Sequence, residues 1–236
     1  MKRLVLVLAL CCAPQLASAA TVTLDFNTLP STQGWTYLAE GPSHSGQIES
    51  NIWSTDGTTL TMDTMGSSPL VPGSQNTYSQ IGIVNTVNPF EVTWRSRVLE
   101  SEGSVAGGLG VAVALTSSGT PAQQFTVSFI TDAILIAGSQ TPFDATAFHD
   151  YRLTGTPGIN AFSLYIDNVL FANGHSSFEK FAVGNYVLFG DLTGAANARA
   201  EVQAFTFRQV PEPATTLLAV CAAALCKLFA RARRRT

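Results

Sequence analysis

Period-two alternation of apolar and polar residues dominates the chain between residues 20 and 208. It is clearest over residues 90–98, where Phe90, Val92 and Trp94 fall on one face and Glu91, Thr93 and Arg95 on the other. Residues 21–26 alternate in the same way, residues 58–62 more weakly, and residues 78–84 form a further candidate strand. The stretches 109–115, 125–130 and 133–137 are more continuously apolar and predict central strands, rich in β-branched and aromatic types. Residues 149–153, 162–166, 169–171, 186–189 and 199–207 complete the set. Asp167-Asn168 separates two of these runs and predicts a tight hairpin turn, because both residues tolerate positive φ. Alternation over 199–207 is imperfect, as expected of a strand touched by protein on both faces. Pro and Gly punctuate the intervals, and no segment sustains a 3.6-residue stripe. About ten to thirteen short strands so spaced predict an all-β, two-sheet antiparallel sandwich.

The two ends follow other rules. Met1-Lys2-Arg3 is a positive start, residues 4–13 are unbroken apolar, and Ala17-Ser18-Ala19 is a small-x-small cleavage site. That order predicts an export signal over residues 1–19, removed by a signal peptidase before Ala20. At the other end, residues 214–230 are apolar apart from Lys227, about 26 Å as a helix against roughly 30 Å of bilayer hydrocarbon. Arg231, Arg233, Arg234 and Arg235 follow as a membrane-stop cluster. The body, residues 20–208, is long enough for one domain with its own core.

Charge and cysteine content sharpen this division. The body carries six Lys/Arg against fifteen Asp/Glu, a net charge of −9 that the whole-chain value of −3 conceals. Such a balance argues against nucleic acid, which needs positive potential. It suits a solvated surface, neutral glycans or calcium. Cys11, Cys12, Cys221 and Cys226 all lie in the end segments, so the body has neither disulfides nor a thiolate nucleophile.

Val210-Pro211-Glu212-Pro213, a short hydrophobic stretch and an arginine-rich terminus together resemble the PEP-CTERM sorting signal of exported Gram-negative proteins. The resemblance covers about the last 27 residues. It implies that Pro211, Glu212 and Pro213 are recognised by an exosortase-like membrane enzyme, with residues 210–236 as the sorting segment. It also implies a cell-envelope or extracellular-matrix location, anchored first at the inner membrane with the body outside the cytoplasm.

The stretch from Phe148 to Gly174 resembles the concanavalin A-like or laminin-G-like jelly roll. There a strand of His/Asp-Tyr-Arg type precedes a hairpin like Leu164-Tyr165-Ile166-Asp167-Asn168-Val169. Members of that superfamily bind glycans, cleave polysaccharides or serve as structure, so the fold does not choose between them. The acidic Glu-x-Asp-x-x-Glu strand of its glucanases is missing. Glu100-Ser101-Glu102 is the nearest acidic run and reads as a solvated strand end, and His44, His149 and His175 have no metal-ligand spacing. No catalytic residue is therefore nominated.

Calcium is the candidate ion, with Asp25 and Asn27 after the first strand and Asp191 near the last as candidate ligands, or else as simple turn caps. Trp35, Tyr37 and Trp53 are the candidate glycan contacts if exposed and ordinary core if buried. The leading expectation is a non-catalytic surface or exopolysaccharide-matrix protein, structural or glycan-binding. A secreted polysaccharide hydrolase or lyase and a protein-binding adhesin are the alternatives.

Overall fold

The computed structural model describes residues 20–41, 46–66, 75–86, 88–103, 107–115, 123–136, 138–157, 160–175, 178–179, 184–192 and 196–209. The export signal, the predicted C-terminal hydrophobic helix, Pro211-Glu212-Pro213 and the terminal arginines lie outside the described residues. No helix among the described residues is long and apolar enough to cross a membrane.

Among the described residues sixteen strands form two antiparallel sheets, numbered here along the chain. Edge to edge, the first runs β13 (Val169–His175), β12 (Ala161–Ile166), β11 (His149–Thr156), β6 (Phe90–Glu102), β16 (Asn197–Gln209), β4 (Leu60–Asp63) and β3 (Trp53–Thr55). In this sheet β1 (Ala20–Thr23) also pairs with β16. The second runs β10 (Ser139–Pro142), β9 (Ala133–Ile136), β8 (Gln123–Ile130), β7 (Leu109–Leu115), β15 (Tyr186–Asp191), β5 (Gln75–Ile81) and β2 (Thr36–Glu40). Here β14 (Phe178–Glu179) pairs with β8. The only helical pieces among the described residues are a 3-10 turn, Pro30–Gln33, and a single α-turn, α1 (Glu49–Ile52).

Alternation dictates which side chains meet between the sheets. Along β6, Phe90, Val92, Trp94 and Val98 are buried, while Glu91, Thr93, Arg95 and Arg97 face outward. Aromatic rings bridge the layers: Phe90 meets Phe125 at 5.1 Å, Trp94 meets Phe129 at 6.1 Å and Phe205 stacks on Phe189 at 4.7 Å. Such pairs add to the burial of their large apolar area. Phe90 needs room that only glycine supplies on the neighbouring strand. A Cβ at Gly155, its cross-strand partner, would come within 2.2 Å of the ring.

The hairpin between β12 and β13 turns on Asp167 and Asn168, with φ of 51° and 65°, as the sequence predicts. β16 differs from expectation for a physical reason. Its register shifts between Arg199 and Ala200 and between Val202 and Ala204. The second shift hands the core positions from Ala200 and Val202 to Phe205 and Phe207. The broken alternation therefore records β-bulges and not a strand buried on both faces. β2, β3, β10 and β14 are strands that periodicity did not predict, each of five residues or fewer.

Candidate functional site

Tyr37 and Trp53 lie on β2 and β3. Trp35 and Trp53 are buried, as is Trp94. Trp35 makes edge-on contacts with Phe189 at 5.4 Å and Phe205 at 5.5 Å. Trp53 packs on Tyr78 at 4.7 Å and Phe189 at 5.8 Å. Neither indole offers a sugar an open face, so both belong to the core alternative. Their setting explains why: antiparallel register puts Tyr37, Tyr78, Phe189 and Val111 in one inward-facing row.

That row ends in a polar network. The half-buried Tyr37 hydroxyl donates to Asn76 Oδ1 at 2.9 Å, and Asn76 Nδ2 donates to Gln47 Oε1 at 3.2 Å. Glu49, at the start of α1, accepts from Tyr78 Oη at 2.6 Å and from Ser31 Oγ at 2.9 Å. Burial, followed by the negative charge of Glu49, pushes the Tyr37 phenol up to about 12. Burial, reinforced by the bond to Glu49, raises Tyr78 further. Both oxygens of Glu49 are thus engaged by neutral hydroxyls, and the network ties the turn at 47–52 to β5. The sequence reading nominated none of Gln47, Glu49, Asn76 or Tyr78, since no local motif joins positions brought together by strand pairing.

Asp25 and Asn27 share one turn, and Asp191 ends a strand of the other sheet. Asp25 follows β1 of the first sheet and caps its own turn, accepting the Asn27 backbone N–H at 2.8 Å and the Asn27 side-chain amide. These bonds, the backbone one foremost, hold the Asp25 carboxyl below its usual range. Asp191 is buried at the end of β15 in the second sheet, cross-strand from Asn76 and Leu109. Among the described residues no group of three or more His, Cys, Asp or Glu converges to hold a metal ion.

The outward face of the first sheet carries all five arginines of the body, each beside a carboxylate. Arg95 meets Asp150 at 3.1 Å, Arg97 meets Glu201 at 2.8 Å, and Arg208 meets Glu91 at 2.9 Å. Arg152 lies 3.8 Å from Glu91 with its guanidinium over the Tyr165 ring, and Arg199 meets both Asp63 and Glu100. Glu102 accepts from Asn197 Nδ2 at 2.7 Å. His149 Nδ1 pairs with Asp167 Oδ2 at 2.7 Å, so its carboxylate partner comes from the hairpin turn and not from the adjacent Asp150. This bond, joined by the Asp150 backbone N–H, holds the Asp167 carboxyl low.

The outward face of the second sheet is different in kind. One cross-strand row reads Thr36, Ser79, Leu188, Ala112 and Thr126; the next reads Leu38, Thr77, Gly190, Gly110, Ser128 and Leu135. Neither row contains a charge. The middle strands carry small residues here, and Leu192 lies over Gly110. Thr77, Ser79 and Ser128 are buried, so the centre of this face is covered, and the Thr77 and Ser79 hydroxyls have no hydrogen-bond partner among the described residues. Buried hydroxyls of this kind are costly unless satisfied. Thr36 and Thr126, toward the ends of the row, are more open to solvent.

No protein-family model matches the sequence, and no curated protein matches it significantly. Solved structures do share its fold. A carbohydrate esterase from Shiga toxin-encoding bacteriophage phi24B superposes with a TM-score of 0.55 at 11% identity, over 82% of this chain and 100% of that one. A protein of unknown function from Shewanella oneidensis MR-1 gives 0.50 at 13% identity, over 86% and 92%. A Bacillus licheniformis β-glucanase gives 0.48 at 14% identity, over 82% and 99%. At these identities the likeness is one of fold. The described body is a two-sheet antiparallel β-sandwich.

Proposed function

We propose that the chain is a non-catalytic, exported carbohydrate-associated module, delivered to the cell surface or an exopolysaccharide matrix by the signal at 1–19 and the sorting segment at 210–236. The observation that carries the glycan part is the two-sheet sandwich itself, a fold shared at a TM-score of 0.55 with a bacteriophage carbohydrate esterase. The placement of the acids supports a non-catalytic role. Glu91, Asp150, Glu201, Asp63 and Glu100 pair with arginine, Glu49 with two hydroxyls, and Asp25, Asp56 and Asp144 cap turns. Retaining or inverting glycosidases instead set two carboxylates about 5 to 9.5 Å apart across a scissile bond. The charged face of the first sheet saturates its own charges and needs no partner.

The test uses the full chain in detergent micelles, titrated calorimetrically against neutral and uronate-bearing polysaccharides while reducing ends are followed in the same samples. Saturable binding to neutral chains without release of reducing ends is the expected result. Release of reducing ends would replace this reading with the hydrolase alternative. Silence across the panel would leave a structural or adhesin role.

A further inference from the structure

The first and last strands of the body meet. Ala20 is the cross-strand partner of Gln209, Thr21 of Arg208, Val22 of Phe207 and Thr23 of Thr206. Antiparallel partners lie about 5 Å apart. The points where leader and tail join the body are therefore one corner of the first sheet.

A single side chain fastens that corner. Gln209 is 3% exposed. Its Oε1 accepts the Asn85 backbone N–H at 2.7 Å, and its Nε2 donates to the carbonyls of Asn85 at 2.6 Å and Asn88 at 2.9 Å. All three partners are main-chain groups, which cannot rotate away as side chains do. On its other flank Gln209 pairs with Phe90. The last residue of β16 is thus held by β1, by β6 and by the loop before β6. Two residues on, Pro211 has no N–H to continue a ladder.

We propose that Gln209 is a latch that sets the C-terminal limit of the mature body and makes that limit depend on an intact β1. Removal of the tail is hydrolysis: water adds across a main-chain amide, hydroxyl to the carbonyl carbon and hydrogen to the nitrogen. A protease acts on chain drawn out of the ladder, at a rate set by local opening. Trimming from the C-terminal side therefore halts at Gln209 while the latch and β1 are seated. Loss of residues 20–23 opens the same corner from the other side. The inference rests on residues 210–236 being a removable tail, but its test does not require the sorting enzyme.

The full chain in detergent micelles is digested with proteinase K, and the C-terminus of the surviving body is read by intact mass over time. The wild-type product ends at residue 209 or 210 and persists. In Gln209→Ala it erodes into β16 roughly ten- to a hundredfold faster, from the loss of three hydrogen bonds. Gln209→Glu sets a buried carboxylate against the carbonyls of Asn85 and Asn88, so it erodes at least as fast as Gln209→Ala. Deletion of residues 20–23 erodes inward with Gln209 intact. Cooperative melting of Gln209→Ala by near-ultraviolet circular dichroism separates local opening from global unfolding. Wild-type trimming past residue 209, or an unchanged end in Gln209→Ala, overturns the latch. A wild-type chain that keeps residues 210–236 overturns the removable tail, and the limit with it.

Discussion

Alkaline titration offers a direct test of how the core between the two sheets is built. Tyr78 and Tyr151 are buried, and burial raises both phenols well above their ordinary value, with Glu49 adding to the effect on Tyr78 and Asp167 to that on Tyr151. An unfolded tyrosine loses its proton near pH 10. Above that pH the unfolded chain binds fewer protons than the native one, so stability falls as pH rises. The stabilisation is complete below about pH 10 and is lost through the window between the unfolded and native values. Each buried tyrosine contributes about 1.4 kcal/mol of loss per pH unit, so the two together give about 2.7 kcal/mol per unit. Tyr37, pushed up to about 12 but only half-buried, adds a smaller, solvent-screened amount. Against a typical stability of about 5–15 kcal/mol, unfolding is expected two or more units above pH 10. Phenolate absorbance at 295 nm and near-ultraviolet circular dichroism are followed together. The phenolates of Tyr78 and Tyr151 should emerge in one cooperative step with loss of the dichroic signal. Tyr78→Phe should flatten the stability slope by about half. All phenolates forming near pH 10 with tertiary signal intact would refute the burial argument.

Other expectations follow from the core and its surface. Phe189 is ringed by Trp35, Trp53, Tyr78 and Phe205, so Phe189→Ala should cost about 3–5 kcal/mol in thermal or denaturant unfolding; a cost below 1 kcal/mol would contradict the packing. Gly155→Val must displace the Phe90 ring and should lower stability by about 1–3 kcal/mol, relieved by Phe90→Leu in a double-mutant cycle. Arg97→Gln breaks a partly exposed pair and should change stability by no more than about 1 kcal/mol, less at high salt. Tryptophan emission should resist acrylamide quenching and stay unchanged on adding any glycan that binds, since all three indoles are buried. A saccharide-dependent shift would reopen Trp35 and Trp53 as contacts.

Some of this architecture was legible in the chain because it is local. The alternation of Phe90, Val92 and Trp94 against Glu91, Thr93 and Arg95 needs no partner to be read, since a strand's side chains alternate whatever lies beside it. Asp167-Asn168 announced its turn because the positive-φ preference belongs to those residues. The charge imbalance of the body was likewise plain from counting. By contrast, the fate of Trp35 and Trp53 depended on cross-strand register, which sequence spacing does not encode between strands far apart in the chain. β16 misled periodicity through bulges that move the inward positions by one residue.

What the sequence determined by itself was an all-β body whose strands have one face apolar, with a distinct basic, apolar or proline-bounded segment at each end. Those properties reside in residue type and short-range order. What tertiary structure alone decided was which side chains share a row and which ends share a corner. Pairing β5 with β2 and β15 joined Tyr37, Asn76, Tyr78 and Asp191 across more than a hundred residues of chain and left Thr77 and Ser79 on the opposite face. Pairing β1 with β16 set Ala20 beside Gln209. The physical reason is that hydrogen-bond register is fixed by global closure of the two sheets around a common core, and closure is a property of the whole chain.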